Sequence, residues 1–466
     1  MSAITDARGR AQAAPPVGSP GAPVRGLPPG PPLPRLIQTA ALMLFGVRFL
    51  DACRRRYGDL VTVGTVFDER IVMVFEPQLL RAVFQAPGSR LRAGEANALL
   101  RPVLGDRSVL VLDGEEHLRQ RRLMLPAFHG ARMLAHADTM RACADAEIDS
   151  WPVGESFALL GRMQALTLAV ILRIVFGTVP GSAEDELANR LRAMIEPLSR
   201  PGGVIAMIAI LRGVSGRRAA RTFAQRRARV DELLYAEIAR RRADPSLAAH
   251  GDVFSELLTA TDERGDPMTD REVRDELLTL LLAGHETTAT GLAWAVDLLL
   301  HDDGVRARAV SGDERYLDAV VKEALRLRPV IPGVGRIVRE QPFELAGYAL
   351  PVGTEIDPSI RVIHGRGDLY RNPRSFSPER FLTDDPPDTY TWVPFGGGTR
   401  RCLGASFAQM EMRIVLDRVL GRCALRAADA RQARPQFRGI VIAPRGGVRV
   451  LQDRPPVPAD QRAPVA

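Results

Sequence analysis

A cysteine closes a glycine-rich run, Phe395-Gly-Gly-Gly-Thr-Arg-Arg-Cys-Leu-Gly404, and a stretch of helical period follows directly. Three consecutive glycines let a backbone turn tightly and lie close against a flat ligand. A cysteine ahead of a helix N-terminus is favoured as thiolate, because free N–H groups and the helix dipole stabilise negative charge. Arg400 can pair with an anionic group, and Gly404 permits close approach of the following helix. A glycine turn around a buried, inert thiol would explain the glycines alone. The fixed offsets of Phe395, Arg400, Cys402 and Gly404 instead suit a thiolate that ligates a metal.

Ala283-Gly-His-Glu-Thr-Thr288 interrupts a long apolar pattern. Burying Glu and Thr there is costly unless they have partners or a task, and Gly284 weakens the helix and opens room beside it. The plain alternative is a kink whose threonines bond back to the preceding turn. Glu323-Ala-Leu-Arg326 sets opposite charges three apart on one helix face. His117-Leu-Arg-Gln-Arg121 places two basic groups four apart on one helix face, so that both could reach one anion. His117 and His285 are also conceivable axial ligands for a haem iron, although no second feature supports either.

Together these residues resemble the cytochrome P450 family, with motifs in the family's order over roughly residues 35–450. The resemblance implies that Cys402 is the axial ligand of haem b (iron protoporphyrin IX) and that Phe395 packs beside its sulfur. It implies propionate contacts from Arg400, His117, Arg121 and Arg336; family members often carry Trp at the position of His117. Glu286 and Thr287 match the acid–alcohol pair that organises water and delivers protons to bound oxygen. Glu323 and Arg326, with Arg380 of Pro378-Glu-Arg-Phe381, match a buried charge network that supports the cysteine loop. The implied activity is an oxygen-dependent monooxygenase that hydroxylates or epoxidises a small molecule. A peroxide-driven peroxygenase, a haem isomerase and a non-enzymatic haem sensor use the same scaffold as alternatives.

Periodicity predicts the elements that must position these groups. Helices are expected over about 115–150, 155–177, 183–199, 217–244, 270–301, 313–328 and 404–420. Strands are expected at 60–66 and 71–75, as a hairpin, and within 343–356 and 439–451. Thr269-Asp-Arg-Glu272 and Ser311-Gly-Asp-Glu314 read as capping boxes. The first opens a helix roughly 45 Å long, enough to cross a domain. The expected class is mainly α with small edge β-sheets: one haem-enclosing domain at 35–452, between a Pro/Gly-rich flexible leader (1–34) and a Pro-rich tail (453–466).

With 63 basic and 55 acidic residues the chain carries +8, almost all of the basic side arginine. No Lys/Arg tract interleaved with aromatics appears, which argues against nucleic acid. Cys53, Cys143, Cys402 and Cys423 lie far apart, giving neither a disulfide framework nor a zinc site. The apolar run Leu36–Leu50 is too short to span a membrane and reads as a core or interfacial helix. A cytoplasmic monomer is expected. No flavin or dinucleotide fingerprint appears, so electrons should come from a ferredoxin or flavodoxin with its reductase. Arg119, Arg122, Arg401 and Arg413 are candidates for a face that attracts such an acidic carrier. By the same resemblance the substrate pocket draws on residues 90–112 and 198–213 (Val204, Ile205, Ile208, Leu211), on Ala283 and Gly284, and on Ile331 and Val334. Their apolar character suits a lipophilic substrate.

Overall fold

The computed structural model describes residues 26–128, 130–177, 189–190, 217–311, 313–438 and 440–459. The helices used below are α1 (Arg35–Phe45), α2 (Val47–Tyr57), α3 (Pro77–Gln85), α4 (Gly114–Met124), α5 (Ala137–Asp149), α6 (Leu159–Phe176), α7 (Arg217–Arg242), α8 (Asp270–Leu300), α9 (Glu314–Leu327) and α10 (Ala405–Arg422). Strands β1 (Leu60–Val63), β2 (Ile71–Val74), β3 (Leu91–Arg92), β5 (Arg336–Val338) and β8 (Glu355–Pro358) form one sheet in the order β1-β2-β8-β5-β3. Three small sheets complete the fold: β4 (Ser156–Ala158) with β12 (Arg449–Gln452) and β9 (Leu425–Ala427), β6 (Phe343–Leu345) with β7 (Tyr348–Leu350), and β10 (Pro435–Arg438) with β11 (Val441–Pro444). The mainly helical class with small edge sheets is the one expected.

The 31-residue α8 is the axis of the molecule. Its capping box forms as the sequence suggests: Thr269 Oγ1 accepts from the Glu272 amide, and Glu272 Oε2 accepts from the Thr269 amide at 2.8 Å. The second box does not form. Asp313 caps α9 by accepting from the Arg315 amide at 3.0 Å, and the Ser311 hydroxyl donates back to Arg308 O. A carboxylate one residue from the helix outcompetes a hydroxyl three residues away.

One apolar cluster joins α5, α6, α8, α9 and α10. A second joins α3 (Leu79, Leu80, Val83, Phe84) to one face of the large sheet through Leu60, Val72, Val74 and Ile356. The opposite face, Val61, Val63 and Met73, packs on Cys53 of α2. Both faces are thus covered, which is why these strands read as unbroken apolar runs. Their register, Leu60↔Val74 to Val63↔Ile71, is the expected hairpin.

The single helix expected over 115–150 is broken, with a 3-10 turn at Leu125–Phe128 that contains Pro126 and a positive-φ turn at Gly130 (φ 63°). β3, β4 and β9 carry no local signal, being two or three residues long and paired with distant partners. Most of the helix expected at 183–199, and the segment 198–213, lie outside the described residues. Of the expected leader, residues 28 and 29 dock on β1: Thr62 donates from its amide to Pro29 O (3.0 Å) and from its hydroxyl to Pro28 O (2.7 Å). Of the expected tail, Val457 exchanges hydrogen bonds with Arg422. Among the described residues one helix, Leu159–Phe176, is long and apolar enough to cross a membrane, and it is a core helix packed along α8. The run Leu36–Leu50 instead forms two helices, and α1 turns Leu36, Ile37, Met43, Leu44 and Phe45 outward.

Candidate active site

The cysteine loop is folded by its own backbone. The Cys402 amide donates to Phe395 O at 2.9 Å, closing the turn. Gly396 and Gly398 have φ of 66° and 64°, a region that favours glycine. The glycines answer first to protein packing. A Cβ on Gly397 would lie 2.3 Å from the Phe84 ring, and one on Gly398 would lie 2.0 Å from Phe84 O, so the loop rests directly on α3. Gly404 differs, because a Cβ there meets no protein atom within 4 Å. Close helix packing therefore does not require this glycine; its face is open space, where a flat group can lie.

Cys402 is solvent-accessible, in a loop that runs from the buried Gly396 and Gly397 to the exposed Gly398, Thr399 and Arg401. Burial raises its pKa, opposed by the Gly404 N–H and by Arg121 and Arg401. The stabilisation expected from the helix start is present, but desolvation outweighs it in the protein alone.

A second loop, residues 105–113, is clamped between α8 and the cysteine loop. Asp275 Oδ2 accepts from the Arg107 amide and Glu276 Oε1 from the Val109 amide, both at 2.8 Å. Thr279 Oγ1 donates to Ser108 Oγ at 2.6 Å. From the other side Arg400 donates to Val109 O (3.1 Å), to Leu112 O and to Asp113 Oδ1 (2.6 Å). The sequence leaves Arg400 free for an anionic ligand; much of its donor capacity instead fastens this loop.

Basic groups nevertheless crowd here. Burial first, then Arg400, Arg121 and Arg336, push the His117 pKa down to about 3. Arg336 and Arg400 are each pushed down to about 10, again by burial first. Two carboxylates face them. Asp113 is occupied by Arg400 and by the amides of Gly94 (2.8 Å) and Glu95 (3.0 Å). Burial raises the other, Asp357, to about 7. The cluster has more positive charge than it can neutralise. His117 and Arg121, neighbours on α4, are brought together with Arg336 and Arg400 from distant parts of the sequence.

In the middle of α8, Ala283 is exposed and Leu280, Leu282, Gly284 and Thr287 are half-buried; Leu280, Ala283 and Thr287 make an accessible stripe at i, i+3 and i+7. The Thr287 hydroxyl donates back to Ala283 O at 2.6 Å and the Thr288 hydroxyl to Gly284 O at 2.9 Å, the pattern of the plain alternative. Glu286 lies on another face, where its Oε2 accepts from Gln164 Nε2 at 2.6 Å. Gly284 does not open room beside the pocket. A Cβ there would lie 2.7 Å from Ile171 Cδ1, so its glycine lets α6 approach. His285 is turned to its own helix, Nδ1 lying 2.9 Å from Leu281 O. Ile331 and Val334 belong to a half-buried segment, 331–335, beside the cysteine loop.

Beneath the loop the charge network is complete. Arg326 bonds Glu323 through Nε (2.7 Å) and a terminal nitrogen (2.8 Å), and Arg380 Nε reaches Glu323 Oε1 at 3.0 Å. Sequence reasoning missed the link to the loop, His364. Its Nε2 accepts from the Val393 amide at 3.0 Å, so Nδ1 carries the proton and donates to Arg326 O at 3.1 Å. The only signal was a histidine at the end of a short helix, Ile360–Ile363, which is too common to notice.

Comparisons with known proteins agree over most of the chain. A family model described as Cytochrome P450 matches residues 28–449. A relative in Mycobacterium tuberculosis (strain ATCC 25618 / H37Rv), known by family and number as cytochrome P450 135B1, is 41% identical over 436 residues, 91% of each chain. Cytochrome P450 135A1 of the same strain is 38% identical over 436 residues, covering 91% of this chain and 95% of its own. Among solved structures, retinoic acid-bound cyanobacterial CYP120A1 superposes at a TM-score of 0.76 with 24% identity, over 92% of this chain and 99% of that one. The haem domain of cytochrome P450DA does so at 0.81 with 22% identity, over 95% and 100%.

Proposed function

This chain belongs to the cytochrome P450 family, and from that premise we propose that it inserts one atom of molecular oxygen into a lipophilic small molecule, with electrons from a separate ferredoxin or flavodoxin and its reductase. Membership makes it an oxidoreductase, a haem-thiolate monooxygenase in general, with haem b as cofactor. A cytoplasmic monomer is part of the same proposal.

One observation carries the assignment of residues: the excess positive charge of Arg121, Arg336 and Arg400, crowded around a His117 that it helps keep neutral, beside an accessible cysteine on an open glycine face. Haem b brings two carboxylates, which would relieve that repulsion, and a flat ring that would use the space at Gly404. Cys402 would then ligate the haem iron, and His117, Arg121, Arg336 and Arg400 would hold the propionates. Arg400 contributes what its bonds to the 105–113 loop leave free. When bound, haem supplies oxygen activation.

The remaining steps belong to the chain. Thr287 presents its hydroxyl on the accessible stripe of α8 and holds water there; Glu286, one residue away, passes protons inward from its own side of the helix. Ala283, Ile331 and Val334 supply apolar walls that exclude water and orient the substrate. Retinoic acid, bound by the cyanobacterial structure, is a lipophile of the proposed kind. The decisive test is the carbon monoxide difference spectrum of the reduced protein. Thiolate-ligated haem gives the family's red-shifted band, and its absence from well-loaded protein would end the assignment of Cys402. Spectral titration with fatty acids, terpenoids and steroids then tests the substrate class through displacement of the distal water.

A further inference from the structure

The acid of α8 is held by a helix that sequence motifs do not single out. Residues 164, 167 and 171 form one stripe of α6, and each meets the segment 284–286. Ile171 packs against Gly284, the Thr167 hydroxyl lies 2.9 Å from His285 O, and Gln164 Nε2 donates to Glu286 Oε2 at 2.6 Å. The other carboxylate oxygen, Glu286 Oε1, is buried with no hydrogen bond among the described residues. Among the described residues the nearest cation, Arg438 Nε of β10, is 3.8 Å away, beyond hydrogen-bond reach. Arg438 is more exposed than Glu286, 25% against 10%, so it stands on the solvent side of the carboxylate.

We propose that Gln164 is a positioning residue for Glu286, holding the carboxylate toward Arg438 and solvent for protonation and releasing it toward the pocket at the cost of one hydrogen bond. The inference rests on the reading of Glu286 as the proton-delivering acid. Its physical basis is the choice of donor. A neutral amide orients a carboxylate without adding positive charge. A guanidinium at full contact would hold it ionised and fixed. At 3.8 Å Arg438 attracts the carboxylate but does not lock it. The proton is taken up at one oxygen and given up on the pocket side, so the carboxylate ends each cycle unchanged.

The test uses haem-loaded protein with a plant-type ferredoxin and its reductase as donor, without added substrate. Glu286→Gln first assigns the Glu286 carboxyl band in infrared difference spectra. Gln164→Leu, close in volume, is expected to shift that band. It should also raise the share of reducing equivalents lost as hydrogen peroxide and change the solvent isotope effect on oxygen reduction, by about twofold or more. The carbon monoxide band should stay in place. If Gln164→Leu leaves band and peroxide share at parent values while Glu286→Gln changes the share, Gln164 has no positioning role and the acid reading stands. If Glu286→Gln changes neither peroxide share nor isotope effect, the acid reading fails and this inference with it. Should the Leu variant not load haem, Gln164→Asn replaces it. That variant keeps the amide but withdraws it by one methylene, and an unshifted band there overturns the proposal.

Discussion

A thiol that burial keeps protonated, and cations that burial and mutual repulsion push toward neutrality, are both unfavourable in the protein alone. A negatively charged, metal-containing ligand reverses each penalty. Two expectations follow at this scale. Cys402→Ser should retain the fold but lose the red-shifted carbon monoxide band, read in the same spectrum that tests the parent. Arg336→Met should weaken haem retention, measured by transfer to apomyoglobin, more than it lowers the unfolding midpoint of the haem-free protein. Among the described residues Arg336 hydrogen-bonds only the nearby carbonyls of Val334 and Gly335, and its removal also relieves crowding on His117 and Arg400. The residue types and their offsets were legible in the sequence. The second duty of Arg400, fastening loop 105–113, was not, because its acceptors are backbone carbonyls with no sequence signature.

The pieces that present these residues are held by buried polar links between helices and loops. Glu323 is fully buried and serves Arg326, Arg380 and the Ser377 amide together. Glu323→Ala would strand two guanidinium groups, and a destabilisation of about 3–5 kcal/mol is expected in urea unfolding. His364 couples α9 to the cysteine loop only while neutral, and burial beside Arg326 lowers its pKa to about 3. Between that value and the ordinary histidine range the unfolded chain binds a proton that the folded chain does not. Stability is therefore lost as pH falls from about 6.5 toward 3, by at most about 1.4 kcal/mol per pH unit from this group. His364→Gln should flatten that slope in unfolding midpoints measured across the window. An unchanged slope would mean that other groups set it.

Across the whole molecule, the proposed electron donor must reach the face that bears the cysteine loop. Of the four arginines the sequence offers for docking, three are already paired. Arg119 bonds Asp262 (2.6 Å) and Glu272 (3.0 Å), Arg122 bonds Glu263, and Arg413 bonds Glu314 (2.7 Å) and Asp318 (3.2 Å). Arg401 is exposed and has no ion pair among the described residues. Arg401→Glu should therefore slow reduction by an acidic ferredoxin several-fold at low salt, and Arg413→Gln should change it little. Stopped-flow rates at two ionic strengths distinguish these outcomes, since screening erases a steering effect.

The sequence alone determined the chemistry on offer: a cysteine in a glycine turn, an acid–alcohol pair in a capped apolar helix, and a glutamate–arginine pair. Each is a short-range pattern that spacing can carry. Tertiary structure decided how those groups are used. Gly397 and Gly398 are glycine because Phe84 presses on them, Gly284 because Ile171 does, and Glu286 points at Gln164 because α6 lies along α8 in one register. Those contacts join residues more than a hundred positions apart. Their partners are ordinary apolar or amide side chains, so only packing could reveal them.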